Sequence, residues 1–250
     1  MAQRALPLPA ARLGRAVHTA GATSEISGVV LLLPDGRSDS RRRPSPLSYA
    51  AQLPLARTLA RAGGGDGLAV HVVRYRSHGW NAGADPAADA QWAADEVVRL
   101  YGDVPVCLVG HGMGGRAALR GAGHSAVNSV LAMAPWLPER ADPEPVKHLA
   151  GRRVLIVHGT NDARSNPELS YRLAERAKKS NRDTCRFEVH SDGHALRQHR
   201  SEVMALASDF IRGSLFARSY ARPVADAFAA PPPLGLRMPL AAGFGRSLRH

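Results

Sequence analysis

Cysteine is scarce in this sequence: Cys107 and Cys185 are the two in 250 residues. Both lie in apolar, strand-like runs, so they read as buried, reduced thiols, and a small disulfide-stapled fold is excluded. Lysine is nearly absent, with Lys147, Lys178 and Lys179 the three lysines among 33 basic residues. Long apolar runs are missing too, and no stretch approaches the roughly 20 residues that span a bilayer. Residues 1–20 break their small apolar residues with Arg4, Arg12, Arg15, Pro7 and Pro9, and so lack the continuous apolar core of a secretory signal. A soluble, cytoplasmic protein is the expectation. No segment repeats another.

What is present suits a single α/β domain. The chain is 44% hydrophobic, and its length suffices to bury a full core. Its formal net charge of +12 raises the question of a polyanionic partner. The arginines scatter over loops and ends, however, and no nucleic-acid motif accompanies them. A solvated basic surface is therefore expected, with no specific nucleic-acid partner.

Residues 1–24 show no sustained periodicity beyond a short irregular strand near 16–20, and read as a flexible basic N-terminal extension. The run 27–33 is continuously apolar, as in a strand buried on both faces of a parallel sheet, and Pro34-Asp-Gly-Arg37 ends it. Further strands are expected over 68–74, 104–109, 127–134, 153–157 and 184–190. Helices are expected over 47–62 with a kink at Pro54, over 85–101 behind an Asp85-Pro86 cap, over 112–121, over 168–179 behind Asn166-Pro167, and from 196 to 210 or 213. Strands alternating with helices argue for βαβ units and a parallel sheet. The proline-rich connection after Ala134 is too short for a sizeable cap domain. Residues 215–250 turn to Ala, Pro, Gly and Arg and read as a disordered tail, leaving 25–214 as the folded domain.

The chain is organised around residues 106–115, Val-Cys-Leu-Val-Gly-His-Gly-Met-Gly-Gly, where a strand stops at Gly110 and a helix starts two residues later. Gly110-x-Gly112-x-Gly114 is not read as a dinucleotide fingerprint, even though Gly115 completes the literal pattern. That fingerprint belongs near the first strand and needs an acid about 20 residues on, where Val130 and Leu131 stand. Two more motifs follow strands directly, His158-Gly-Thr-Asn-Asp162 and Ser191-Asp-Gly-His194. His190 and His194 do not read as a metal pair, since His190 falls within a strand and no carboxylate or cysteine completes a set. No metal and no cofactor are expected.

Over about residues 27–213 these three motifs resemble the α/β-hydrolase family, of the esterase and lipase kind. The resemblance implies a mostly parallel central sheet flanked by helices, ester or acyl hydrolysis, and a nucleophile on the sharp turn of a G-x-S-x-G elbow. Here that position is Gly112, which has no atom to acylate. Asp162 and His194 follow in the family's order as the acid and imidazole of a triad. By position, the backbone N–H of Met113 and one from the loop at Asp35 and Gly36 would form the oxyanion hole. Trp80 and Trp136 follow strands at the carboxyl edge of the sheet and are candidates to line a pocket for a small ester-like or acyl ligand.

Three readings stay open. In the first, His194 activates a water or abstracts a substrate proton without covalent catalysis. In the second, the protein is a pseudoenzyme that binds an acyl ligand or another protein. In the third, a different nucleophile operates, with His111, Cys107, Ser38 and Ser77 as candidates.

Overall fold

A computed structural model describes residues 10–18, 25–44, 46–139 and 143–246. Its strands are β1 (Arg12–Leu13), β2 (Gly28–Leu33), β3 (Leu68–Arg74), β4 (Val106–His111), β5 (Val127–Met133), β6 (Arg153–Gly159), β7 (Thr184–Val189) and β8 (Met238–Pro239). They form one sheet in the order β1-β3-β2-β4-β5-β6-β7-β8. Only β1 runs antiparallel to its neighbour; every other pairing is parallel. The helices are α1 (Pro46–Ala50), α2 (Leu53–Ala62), α3 (Asp85–Tyr101), α4 (Met113–Gly121), α5 (Pro167–Ser180), α6 (Arg200–Phe216) and α7 (Arg222–Ala229).

The unbroken apolar run of β2 has a direct cause. Val29, Leu31 and Leu33 belong to one buried cluster with the alanine-rich faces of α3, α4 and α5, while Val30 and Leu32 belong to a second with α2, α6 and α7. Successive side chains point to opposite faces of a strand, so a sheet covered on both sides needs apolar residues at every position. Among the described residues, no helix is long and apolar enough to cross a membrane.

Several expectations change. The single kinked helix over 47–62 is two helices, because Pro54 has no amide hydrogen to continue the first ladder and sits instead in the opening turn of α2. Asp85 is not the cap of α3 but its first residue, and the cap position is Ala84 at φ +53°. The last large helix starts later than expected, at Arg200, because Asp192 gathers the backbone before it into a loop.

The tail expected to be disordered is folded over its described residues, 215–246; residues 247–250 lie outside the described residues. Within it lie α7, a 3-10 turn at Leu234–Leu236, and β8, whose Met238 and Pro239 pair with Phe187 and Glu188. Its large apolar residues are few, but Val224, Leu236 and Leu240 are buried, and the buried Arg186 donates to the Leu236 carbonyl at 3.0 Å. At the other end, Arg12 and Leu13 pair with β3, and Val17 bridges Val70. The expected extension is therefore partly an edge of the sheet; residues 1–9 and 19–24 lie outside the described residues.

The strand order also places a site. From β2 the chain moves outward to β3, then returns past β2 to β4 and continues the other way. Such a reversal opens a crevice at the carboxyl ends of the strands. Leu33 lies opposite Gly110, so Asp35 and Gly112, each two residues further on, leave the sheet side by side.

Candidate active site

The turn from β4 into α4 is held by close backbone approach. A Cβ on Gly110 would lie 2.0 Å from the Gly114 carbonyl oxygen, and one on Gly114 would lie 2.0 Å from that of Leu33. Gly112 between them has φ +56° and ψ −119°, a conformation that side-chain-bearing residues adopt only under strain. Its N–H donates to the Met133 carbonyl at 3.0 Å, and its carbonyl accepts from Trp136 N–H at 2.9 Å.

Loops after β6 and β7 bring Asp162 and His194 together. Asp162 Oδ1 accepts the N–H groups of Arg164 and Ser165 at 2.8 and 3.0 Å. Its Oδ2 accepts from His194 Nδ1 at 2.8 Å and from His158 Nε2 at 3.1 Å. Burial alone would raise this carboxyl, but the bonds from His158, Ser165, His194 and Arg164 outweigh it and hold it well below the usual carboxylate range.

The His194 loop is held in turn by Asp192. Its Oδ1 accepts from the N–H groups of Gly193 and Arg197, and its Oδ2 from that of His199. His158 and Asp192 stand inside the two motifs read from the sequence, but nothing in their spacing distinguishes them from ordinary loop residues.

The loop after β2 contributes in a way the sequence does not indicate. Asp35 was expected to offer a backbone amide; instead its side chain enters the site. Asp35 Oδ1 accepts from Met113 N–H and Gly36 N–H, both at 2.8 Å, so the amides expected of Met113 and Gly36 are occupied by this carboxylate. Its Oδ2 lies 3.7 Å from His194 Nε2 and 3.6 Å from Arg164 Nη2. A Cβ on Gly112 would fall 2.2 Å from Asp35 Oδ1. Asp35 takes the room that a side chain at position 112 would need.

The charges follow from these contacts. Burial opposes ionisation of Asp35, yet His194, the two amides and nearby His111 bring its pKa down to about 2. His194 is also desolvated, but the facing Asp35 and Asp162 carboxylates raise its pKa above the ordinary histidine value. His111 behaves oppositely: burial lowers its pKa, and its Nε2 donates to the His194 carbonyl at 2.7 Å. Asp35, His111 and His194 each offer one metal-ligating atom, and these atoms all lie within 4.8 Å of one another. The exposed His190 stands apart from them.

A cavity of about 650 Å³ opens over this cluster, lined by Asp35, Arg37, His78, Met113, Trp136, Arg164 and His194 among others. Trp136 lines this cavity. Trp80 does not: it is buried, with the Arg116 guanidinium 3.9 Å above its ring and 5.0 Å from that of Trp136, and Arg116 is itself paired with Glu144. Of the alternative nucleophiles, Cys107 is fully buried in β4 and burial pushes its thiol up to about 12. Ser77 is buried against Asp85 and Asn81. Ser38 is exposed at the cavity mouth.

A family model described as "Alpha/beta hydrolase family" matches residues 29–247. No curated protein matches the sequence. Among solved structures, an esterase from Pyrococcus furiosus superposes with a TM-score of 0.60 at 16% identity, over 76% of this chain and 84% of that one. A protein of unknown function from Agrobacterium tumefaciens, described as a putative α/β-hydrolase, gives 0.60 at 18% identity, covering 82% and 92%. A Xanthomonas campestris member of the α/β serine hydrolases, described as lacking a lid, gives 0.60 at 16% identity, covering 84% and 90%. At these identities the structures speak for the fold, and with the family model spanning most of the sequence, the chain belongs to the α/β-hydrolase family.

Proposed function

We propose that this α/β-hydrolase has set aside serine-type ester hydrolysis, with Gly112 at the nucleophile position, and that its cavity binds a small acyl or ester-like ligand. The observation that carries the reading is the Asp35 carboxylate on the Met113 and Gly36 amides. Acyl transfer by way of a tetrahedral intermediate needs those donors for the developing oxyanion, and losing one costs about 3 kcal/mol. A second negative charge about 4 Å from Asp35 adds roughly 4 kcal/mol at an effective dielectric near 20. Together these amount to about 10⁵ in rate, in addition to the missing nucleophile.

A second reading keeps an acid/base role for His194. It is supported by the Nε2 that faces Asp35 while Nδ1 is held by Asp162, an arrangement suited to moving a proton on a bound ligand.

Hydrolysis of p-nitrophenyl acetate and butyrate by wild type, Gly112→Ser and Asp35→Gly/Gly112→Ser separates these cases. Wild type is expected to be inert and unlabelled by a fluorophosphonate. Gly112→Ser alone gains little, because its Cβ meets Asp35. The double variant, with the carboxylate removed, gains at least about 10³ in turnover and becomes labelled at position 112. Wild-type turnover that matches the double variant and disappears in His194→Ala would overturn the main reading in favour of the acid/base one.

A further inference from the structure

The geometry points to a divalent transition-metal site, of the zinc type, built from Asp35, His111 and His194. This goes beyond the proposed function and requires no turnover.

The first argument is an unmet need. His194 Nδ1 is committed to Asp162 at 2.8 Å, so Nε2 is the nitrogen left for other work. That atom is buried, on a side chain 8% exposed, and has no hydrogen-bond partner among the described residues. Opposite it, at 3.7 Å, stands Asp35 Oδ2, too far for a direct hydrogen bond. An ion about 2.1 Å from each atom would span that gap at an angle of about 120°, within the range of four-coordinate zinc. Gly112 leaves the approach open where any side chain would run into Asp35.

The second argument is the outer shell. Metal-ligating groups are held by hydrogen bonds on their other polar atoms, which fix orientation and strengthen the ligand. All three candidates show this. Asp35 Oδ1 is pinned by the Met113 and Gly36 amides, leaving Oδ2 to ligate. His194 is backed by a buried carboxylate, Asp162. The His111 ring is tethered by its Nε2 to the His194 carbonyl and meets the His194 ring edge-on, with centroids 4.7 Å apart. Ligand pairs in a tetrahedral zinc site stand roughly 3.4 Å apart, and the ligating atoms of the three residues all lie within 4.8 Å of one another.

The third argument is charge. Two carboxylates, Asp35 and Asp162, face His194 inside the site. Arg164, 3.6 Å from Asp35, is a solvent-exposed counter-charge whose side chain is 66% exposed; Arg37 and His78 lie further along the cavity wall. A divalent cation between His194 Nε2 and Asp35 Oδ2 would balance the negative charge gathered there. Two imidazoles with one carboxylate suit zinc or cobalt(II) rather than calcium or magnesium, which take mostly oxygen ligands, and without thiolate the set does not select copper(I).

The test is binding by the full chain after dialysis against EDTA. Isothermal titration with ZnCl₂ should give one ion per chain, and CoCl₂ should give the visible absorption of a four-coordinate ion. Asp35→Asn, His111→Gln and His194→Gln should each weaken binding at least about 10-fold, Asp162→Asn about 10- to 100-fold, and His190→Gln not at all. Where a variant does not fold, as judged by circular dichroism, the wild type alone still decides: zinc should shift the ring resonances of His111 and His194 in step with the titration, and affinity should fall as pH drops and His194 takes up its proton. No saturable one-to-one binding, unmoved ring resonances, or equal affinity in folded Asp35→Asn and His194→Gln would overturn the proposal. None of these readouts depends on whether the protein hydrolyses esters.

Discussion

At the scale of single residues, the site turns on two neighbours that exchange roles. Gly112 gives up a side chain and Asp35 places one in the same volume, its Oδ1 2.2 Å from where a Cβ at 112 would stand. The consequence is electrostatic. Asp35 at about 2 lies below its ordinary value near 3.9, so its contribution to stability is complete above about pH 4 and is lost as pH falls from 4 toward 2. His194, raised above 6.5, contributes fully below that pH and loses its contribution as pH rises through the raised value. Asp35→Asn keeps the shape but removes one of the two carboxylates facing the ring. The His194 pKa, read from ring resonances against pH, is expected to drop in this variant, and the stability advantage of wild type between pH 4 and 7 to shrink with it. An unchanged His194 pKa would mean that Asp162 alone sets it.

The sequence contained part of this. Asp162 and His194 were legible because each follows a strand within a short motif, and Asp35 was legible as a position. That its side chain rather than its amide enters the site was not, because the bond to Met113 joins residues 78 apart in sequence and depends on the register that sets Leu33 beside Gly110. Trp80 misled for a related reason. Its place after a strand suggested a pocket wall, but its ring is covered by Arg116, which comes from the first turn of α4.

At the scale of elements, β4 and α4 were readable because close packing imposes glycine at fixed spacing. Gly114 permits α4 to cross the end of β2, where a Cβ would meet the Leu33 carbonyl at 2.0 Å and that of Pro34 at 2.6 Å. Both obstacles are backbone and neither can rotate away. Gly114→Ala is therefore expected to cost at least about 3 kcal/mol, a fall in Tm of roughly 6–12 °C for a domain of this size. Gly123→Ala, whose nearest new neighbour is His148 Cβ at 3.7 Å, should stay within about 2 °C of wild type. Equal melting of the two variants would show that the elbow has slack. The short edge strands escaped prediction on the opposite principle. Two residues cannot display an alternating pattern, so β1 and β8 exist only through their pairing with β3 and β7.

For the molecule as a whole, stability and function are laid out along the sheet. The site stands over β2 and β4, inside the strand order, where both faces are covered and the strands are buried up to the partly buried His111. Toward the rims the pairing thins to two residues a side. Native-state hydrogen exchange should follow this gradient, because an amide opens at the free energy of the smallest unit that must unfold to expose it. Amides of Val30, Leu32, Leu108 and Val109 should exchange only with global unfolding, and those of β1 well before.

The unit formed by α7 and β8 is the informative case. It buries Val224, Ala227 and Leu236 and its Leu236 carbonyl accepts one of the bonds from the buried Arg186, whose charge is paired with Glu188, so detaching it would expose that apolar surface and remove a hydrogen bond to a charged group at a cost of about 1.5–3 kcal/mol. Its helical amides should accordingly exchange far more slowly than those of β1, although both sit at an edge. If they exchange as fast as β1, residues 222–240 are an appendage to a domain ending near Phe216. If they approach the protection of β7, the folded unit extends to Leu240 and the compositional break near Leu215 does not mark a domain boundary.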